Sequence, residues 1–117
     1  LPVFEDQGCG HVVNTSSIAA YYVMPAGAIY CATKKAVNAI TEGLRLEAPH
    51  IRTTIVSPGV TESELADTVT HAETAALVAA FRTEPMPADA IARAVGFAIA
   101  QPQSVDVSEI IVRPTGK

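Results

Sequence analysis

The stretch IRTTIVSPG, residues 51–59, is a β-branched, mostly apolar run that ends in a Pro-Gly pair. A short continuous run of this kind is typical of a strand covered on both faces of a parallel sheet, and Pro-Gly marks a turn. Two other runs have a similar character, HVVNTSS at 11–17 and SEIIVRP at 108–114. The first of these ends in hydroxyl residues. The three runs predict three strands of one sheet.

Helical patterns separate the predicted strands. The pattern over 28–48 has a broad apolar face and is stopped by Pro49. That face consists of Ala32, Ala36, Ala39, Ile40, Leu44 and Leu46. Residues 60–82 predict one or two helices over a mobile loop, and a further helix begins near Ala88 and closes before Pro102. Strands that alternate with helices indicate an α/β fold with a parallel sheet and right-handed crossovers.

Length and charge limit the possible functions. The chain has 117 residues, which is enough for one small domain, and its 49% apolar residues indicate a globular protein. A net charge of −4 argues against a nucleic-acid partner, since phosphate binding needs a basic surface. No apolar stretch approaches the roughly 20 residues of a membrane helix. The strand predicted at 11–17 is too apolar to lie comfortably at an exposed edge of the sheet. An exposed apolar edge strand favours pairing with another chain.

Cysteines and histidines give no metal or disulfide pattern. Cys9 and Cys31 have the spacing of neither a zinc site nor a disulfide framework, so two reduced thiols in a cytoplasmic protein are expected. His11, His50 and His71 lie far apart, so no metal site is predicted. The first residues have no basic, apolar leader pattern. They instead resemble the tail of a helix that runs into a Gly-rich turn.

Chemically useful side chains converge on one edge of the predicted sheet. Ser17 lies at the carboxyl end of the first strand and Pro58–Gly59 at that of the second, where ligands of open α/β sheets bind. Tyr30 and Lys34 are four residues apart on the intervening helix and therefore share a face. A free phenol titrates near pKa ~10, and a neighbouring cation lowers that value. Such a phenol suits proton transfer to a carbonyl or from an alcohol, and a serine hydroxyl stabilises the charge that develops on the oxygen.

The same residues carry a family resemblance. The segment GHVVNTSSIAAYYVMPAGAIYCATKKAVNAITEGLRLE, followed by IRTTIVSPG, resembles the carboxyl-terminal half of the short-chain dehydrogenase/reductase family. That family has a strand ending in Asn-x-Ser-Ser, a Tyr-x-x-x-Lys pair and a strand ending in Pro-Gly. Here Ser17 precedes Tyr30 by thirteen residues. The end of the chain, from PADAIARAVGFAIAQP to VDVSEIIVRPT, resembles the last helix and strand of members that act on small hydroxy acids or alcohols.

The resemblance implies a catalytic set and a substrate contact. Tyr30 resembles the family's acid/base, Lys34 the residue that tunes the tyrosine and binds the nicotinamide ribose, and Ser17 the hydroxyl that orients the substrate. Tyr22 lies in the loop where the family places substrate contacts. The segment 60–82 lies where the family has a lid that closes over the substrate.

The resemblance also implies a cofactor set. Pro58, Gly59 and Val60 resemble the turn against the nicotinamide ring, and Tyr30 and Lys34 contribute as well. Ser63 lies where the family usually has a cofactor-binding Thr, so it keeps the hydroxyl and lacks a methyl group. The implied cofactor is NADP or NAD, with a slight preference for NADP. The implied substrate is a small alcohol or carbonyl compound. The helix 28–48 belongs to a subunit-joining bundle in the family, which implies a homo-oligomer.

The family's first half has no counterpart in these residues. Its TGxxxGxG loop, the residue that selects NAD or NADP, its NNAG segment and its relay Asn are not found, and Asn14 belongs to the Asn-x-Ser-Ser strand. We therefore expect residues 1–117 to form a single partial Rossmann-like domain, the carboxyl-terminal part of a doubly wound sheet. One interpretation is a fragment or truncated product of an oxidoreductase. The other is an inactive remnant that self-associates. For the isolated chain, we expect little dehydrogenase activity and no assured cofactor binding.

Overall fold

The computed structural model describes all residues, 1–117, and has α/β architecture with a three-stranded parallel sheet. In chain order its elements are α1 (Pro2–Gln7), β1 (Gly10–Thr15), α2 (Ala28–Glu47), β2 (Ile51–Pro58), α3 (Ala72–Phe81), α4 (Ala88–Ile99) and β3 (Glu109–Val112), with single 3₁₀ turns at Ile18–Ala20 and Glu64–Thr68. The predicted fold class is confirmed: helices pack on a three-stranded parallel sheet with the strand order β1-β2-β3. Helix α1 ends at Gly8, which has a φ of 69° and so forms a left-handed cap.

Strand β2 lies at the centre of the sheet. It pairs in parallel with β1, where Val12 lies opposite Thr53, and with β3, where Val56 lies opposite Ile110. Most of its residues are buried, and Thr53, Val56 and Ser57 are completely so. The run that the sequence predicts to be a strand buried on both faces is therefore the central strand, which has a paired strand along each of its two edges.

Buried hydroxyl groups on β2 are hydrogen-bonded by the neighbouring elements. Thr54 Oγ1 lies 2.8 Å from Nε2 of His11 on β1, and Thr53 Oγ1 accepts a 2.9 Å bond from Nε of Arg45 on α2. Arg45 also donates to the Thr53 carbonyl at 2.7 Å, and its Nε lies 3.4 Å from a carboxylate oxygen of Asp106. Because a buried polar group without a partner costs free energy, the bonds from Arg45 favour the side of α2 that faces the sheet, and the bond from His11 joins β1 to β2.

The side of helix α2 that faces the rest of the chain is mixed in character, and several large apolar side chains of the helix point outward. Cys31 and Thr41 are fully buried against the sheet, and Asn14 of β1 donates to Thr41 Oγ1 at 2.8 Å. In contrast, Ile40 is 68% exposed and Leu46 is 81% exposed. The outward side also carries Ile29, Ala32, Ala36 and Ala39. Most of the apolar face predicted from the sequence is thus available to a partner, and the inner side combines hydrogen-bonded groups such as Thr41 and Arg45 with apolar residues such as Leu44.

Residues between β2 and α4 form an excursion whose two ends are joined. The Met86 amide donates to the Val60 carbonyl at 2.9 Å, and the Glu62 amide donates to the Met86 carbonyl at 2.8 Å. Thr61 and Met86 form an isolated parallel bridge. The excursion contains one 3₁₀ turn and one α-helix, α3, none of whose residues is buried. Its base is therefore fixed beside the end of β2, and its helix lies on the surface.

Replacing Arg45 tests the polar contact between α2 and the sheet. We expect Arg45→Met to lower the free energy of unfolding by ~2–3 kcal/mol, because in a partly buried place Thr53 Oγ1 loses its donor and Asp106 loses its cationic neighbour. Denaturant unfolding of the protein expressed from its complete reading frame measures this loss. The control is Arg93→Met, which removes an exposed ion pair with Asp89 and should cost less than about 0.5 kcal/mol. Equal losses in the two variants would contradict the prediction.

His11 makes the fold sensitive to acid. Burial lowers the pKa of His11 below its ordinary value of 6.5, and the nearby charge of Arg52 lowers it further, whereas Asp106 opposes the shift. The unfolded chain therefore binds this proton at a higher pH than the folded chain. The free energy of unfolding should decrease as pH falls from 6.5 to the depressed pKa of the folded state, and then level off with respect to this group.

Thermal unfolding between pH 7.5 and pH 4.5, roughly three units across the titration range of histidine, measures this dependence. We expect His11→Gln to flatten the slope below pH ~6.5 relative to the parent, with His50→Gln, at an exposed position, as the control. An unchanged slope in His11→Gln would be the contrary result.

Candidate active site

Two adjoining cavities lie at the carboxyl ends of β1 and β2. The larger, of about 460 Å³, has mostly apolar walls and extends from the loop after β1 to α3. The smaller, of about 370 Å³, is lined by hydroxyl groups, Lys34 and the first turns of α4. They share a wall made by Ser17, Tyr30, Gly59, Leu65 and Arg82. This is the sheet edge at which the sequence predicts ligand binding.

All eight residues proposed from the sequence line one or both cavities. Ser17, Tyr30 and Gly59 line both of them. Tyr22 and Val60 line the larger cavity alone. Lys34, Pro58 and Ser63 line the smaller cavity alone. The structure thus brings together residues from the loop after β1, the first turns of α2 and the turn after β2. These residues are distributed over the two neighbouring cavities.

Lys34 joins α2 to the end of β1. Its Nζ lies 5.8 Å from the centre of the Tyr30 ring and donates a 3.2 Å bond to the Thr15 carbonyl. Ser16 Oγ donates in turn to the Lys34 carbonyl at 3.3 Å. These two bonds hold the helical turn that bears Tyr30 and Lys34 against the strand end. The ammonium group is therefore fixed near the phenol and retains donors for a ligand.

Ser17 has a hydroxyl group whose orientation is partly defined. It precedes the 3₁₀ turn Ile18–Ala20, and its Oγ accepts a 3.1 Å bond from the Ala19 amide. The residue is only 9% exposed. Accepting this bond leaves the hydroxyl proton free, so Ser17 can donate to an oxygen in either cavity.

Tyr22 remains a neutral phenol over the usual pH range. Burial raises the pKa of Tyr22, with smaller contributions in the same direction from Cys31 and Tyr30 and an opposing one from Arg113. A phenol with a raised pKa is a poor proton acceptor at neutral pH and a good hydrogen-bond donor. Tyr22 thus suits a binding contact in the larger cavity better than proton transfer.

The turn after β2 depends on the absence of a side chain at Gly59. Its amide donates to the Val112 carbonyl at 2.7 Å, and an added Cβ would lie 3.2 Å from Cδ of Pro114 and 3.3 Å from Cα of Arg113. Glycine therefore allows the turn to approach the end of β3 closely. This approach places Pro58, Gly59 and Val60 along the cavity walls.

Thr61 and Arg82 are among the lining residues that the sequence reasoning missed. Thr61 lines the smaller cavity, and its Oγ1 donates to the Gly59 carbonyl at 3.0 Å. Arg82 follows α3 and lines both cavities, although it is far from the other site residues in sequence. The one sequence feature that distinguishes Arg82 is that it is the only Lys or Arg in residues 60–82. That signal does not indicate where the side chain lies.

The donor groups of the smaller cavity fit the ribose and nicotinamide end of a dinucleotide. Lys34 provides an ammonium group, whereas Ser63 and Thr61 provide hydroxyls, and apolar residues of α4 form the opposite wall. Sugar hydroxyls and an amide match such donors and acceptors, and an aromatic ring matches the apolar wall. No group of three or more His, Cys, Asp or Glu side chains is arranged to hold a metal ion. No helix is both long and apolar enough to cross a lipid bilayer.

Comparison with known proteins identifies the family. The family model described as short chain dehydrogenase matches residues 1–74. This chain therefore belongs to the short-chain dehydrogenase family, as the resemblance of its motifs predicts.

Relatives agree with this assignment. An uncharacterized oxidoreductase of Staphylococcus saprophyticus is 41% identical over 121 residues, which cover 100% of this chain and 49% of the relative. One of Listeria monocytogenes is 38% identical over 122 residues, with 100% and 49% covered. The chain thus spans about half the length of the curated relatives it matches.

Solved structures show the same fold. A closed form of serine dehydrogenase complexed with NADP+ has a TM-score of 0.87 at 21% identity, with 100% of this chain and 49% of that chain covered. A 3-ketoacyl-ACP reductase from Sinorhizobium meliloti has a TM-score of 0.74 at 28% identity, with 96% and 50% covered. These matches extend the similarity beyond residue 74 to the whole sheet.

Proposed function

We propose that the protein carrying this chain is an NADP- or NAD-dependent oxidoreductase that interconverts a small alcohol and its carbonyl compound, with Tyr30 as acid/base. The observation that carries the proposal is the position of Tyr30 on the wall shared by a mostly apolar cavity and a hydroxyl-lined cavity. A substrate in the first and a cofactor in the second would meet at this wall. Family membership and the NADP+-bound serine dehydrogenase of similar fold support the same cofactor class.

Each residue has a role in this proposal. A nicotinamide cofactor, when bound, would supply the hydride acceptor for alcohol oxidation and the hydride donor for carbonyl reduction. Tyr30 takes the hydroxyl proton in oxidation and returns it to the carbonyl oxygen in reduction. Ser17 donates a hydrogen bond to that oxygen and holds it near the phenol. The Lys34 ammonium stabilises negative charge on the phenol oxygen and binds ribose hydroxyls.

Other residues bind and shape the ligands. Pro58, Gly59 and Val60 would contact the nicotinamide ring, and Ser63 would add a hydroxyl to the cofactor site. Tyr22 would donate a hydrogen bond to the substrate in the larger cavity. In this proposal, residues 1–117 supply the catalytic and nicotinamide side of one Rossmann-like domain. The excursion that includes α3 would cover the substrate as a lid.

The second candidate is a non-catalytic module that self-associates. The exposed apolar side of α2 favours it, because Ile29, Ile40 and Leu46 form an apolar surface without a partner in the chain. Strand β1 also has one unpaired edge. Self-association through α2 is compatible with the oxidoreductase as well, so we propose a homo-oligomer in both cases. Tight binding of NADPH or NADH, seen as a shift in fluorescence or melting temperature, would contradict the inactive module.

Tyr30→Phe tests the acid/base assignment. In the protein expressed from its complete reading frame, we expect turnover of short aldehydes, ketones and alcohols to fall at least about 100-fold, because the phenyl ring has no proton to exchange. Cofactor binding and melting temperature should change little, since the ring is retained. Steady-state absorbance of the nicotinamide measures turnover.

The matched control for this variant is Tyr21→Phe. Tyr21 lies outside both cavities and makes 3.4 Å contacts with Ser57 and Asn38 through its hydroxyl group. We expect it to keep most of the activity. Full activity in Tyr30→Phe would refute the assignment of the acid/base.

Ile40→Glu tests the role of the exposed side of α2. Light scattering during size-exclusion chromatography should show dissociation toward the monomer, because a carboxylate at a buried subunit contact lacks a partner. Ile99→Glu, at an exposed position of α4, is the control and should leave the oligomer intact. If Ile40→Glu leaves the assembly unchanged, the contact does not involve this side of α2.

A further inference from the structure

The segment that bears Ser17 is attached to α2 at both of its ends by lysine side chains. Lys35 directly follows Lys34 on α2, and its Nζ donates a 2.8 Å hydrogen bond to the carbonyl of Ala20, the last residue of the 3₁₀ turn after Ser17. Lys34 donates to the Thr15 carbonyl at the other end of the segment, at 3.2 Å. Because adjacent residues of a helix point in different directions, the two ammonium groups reach different carbonyls.

A short chain of hydrogen bonds connects Lys35 to the Ser17 hydroxyl. The Ala20 amide donates to the Ser17 carbonyl at 3.0 Å, and the Ala19 amide donates to Ser17 Oγ at 3.1 Å. Ala20 therefore bonds to Ser17 through its amide and to Lys35 through its carbonyl. Loss of the bond to Lys35 frees the end of the turn whose backbone defines the direction of the Ser17 hydroxyl.

Lys35 is the main polar attachment of this turn to α2. No backbone amide donates to the Ala20 carbonyl, so the Lys35 ammonium provides the partner that the carbonyl of this buried residue needs. The other polar contact beyond Ser17 is the bond from Asn38 Nδ2 to the Tyr21 hydroxyl, which is longer at 3.4 Å. A charged donor at 2.8 Å forms a stronger bond than a neutral donor at that length.

The charge of Lys35 has no other partner in the chain. None of the ion pairs of the structure includes it, although the residue as a whole is exposed. Its single hydrogen bond is therefore the one to Ala20. An exposed lysine whose only bond runs to the buried end of a site-bearing turn has a structural task at that site, in addition to its solvation.

We propose that Lys35 is a positioning residue for the reaction, which keeps the Ser17 hydroxyl at its working distance from Tyr30. This inference rests on the proposed oxidoreductase function and adds a residue that lines neither cavity. Tyr30 and Lys35 belong to the same helix, so the bond to Ala20 fixes the Ser17 turn to the element that carries the phenol. A displacement of about 1 Å between reacting groups is enough to slow a reaction severely.

Lys35→Met tests the proposal, because it keeps the apolar stem and removes the donor. In the protein expressed from its complete reading frame, we expect kcat for the best of a panel of short alcohols and ketones to fall about five- to tenfold. KM for NADPH or NADH should stay within about twofold, since Lys35 does not line the smaller cavity. Lys35→Arg keeps a cationic donor and should recover kcat to within about twofold of the parent.

The matched control is Arg93→Met, which also removes one positive charge from an exposed helical position outside both cavities. It should keep the kcat of the parent. A double-mutant cycle shows whether Lys35 acts through Ser17: in a Ser17→Ala background, Lys35→Met should lower kcat less than about twofold, because no hydroxyl is left to position.

Three outcomes overturn the proposal. The first is an unchanged kcat in Lys35→Met, which would leave Lys35 a solvated surface charge. The second is an equal loss in Lys35→Met and Lys35→Arg, which would show that the donor is not what matters. The third is a full loss from Lys35→Met in the Ser17→Ala background, which would show that Lys35 acts by another route.

Hydrogen exchange separates this proposal from the oxidoreductase function itself. In Lys35→Met, we expect the amides of Ala20 and Tyr21, which both bond within the turn, to exchange at least about fivefold faster by mass spectrometry. Unchanged exchange overturns the role of Lys35 whether or not the protein turns over any substrate. If Tyr30→Phe remains active, the acid/base assignment fails, and the cycle with Ser17 still decides the role of Lys35.

Discussion

Burial of β2 with all of its hydroxyls satisfied is the constraint on which the rest of the structure depends. The strand has neighbours on both edges and its residues are mostly buried, yet it contains two fully buried threonines. Each must find a partner at a fixed place, and His11 and Arg45 provide them. Because hydrogen bonds are directional whereas apolar contacts are not, the bonds from Arg45 set the orientation of α2 more narrowly than hydrophobic burial alone would, and the bond from His11 fixes the contact between β1 and β2.

The orientation of α2 has two consequences at opposite sides of the helix. On the inner side, its first turns lie against the end of β1, where Lys34 bonds to the Thr15 carbonyl and Tyr30 reaches both cavities. On the outer side, Ile40 and Leu46 are left largely exposed. One helix thus presents the proposed catalytic pair and an apolar surface suited to a subunit contact. Both follow from the same polar contact with the sheet.

The excursion after β2 completes the walls that the sheet begins. Its ends are joined by hydrogen bonds between Val60, Glu62 and Met86, so its position beside the strand ends is defined although its helix has no buried residue. Arg82 lies near the end of this excursion and bonds back to Thr61 and Ser63. These hydrogen bonds connect the end of α3 to the start of the excursion. They also hold the guanidinium of Arg82 in the mostly apolar lining of the larger cavity.

Much of the fold followed from local patterns in the sequence. The predicted strands and the two longest helices have ends that lie within two residues of those in the structure, because β-branched runs, proline stops and helical periodicity act locally. The spacing of Ser17, Tyr30 and Lys34 likewise placed them at one sheet edge, since a strand–helix–strand unit returns its carboxyl ends to the same side.

Long-range contacts decided the remainder. The periodicity of α2 showed an apolar face without showing that it points away from the sheet, because its inner face is chosen by bonds to residues such as Thr53 and Asn14. Arg82 could not be assigned to the site either, because its place depends on how the excursion returns to Val60. The sequence by itself determined the elements, their order and the proposed reacting groups. Only the tertiary structure decided which helix face is buried and which charge meets the cavity, because those depend on directional bonds between distant residues.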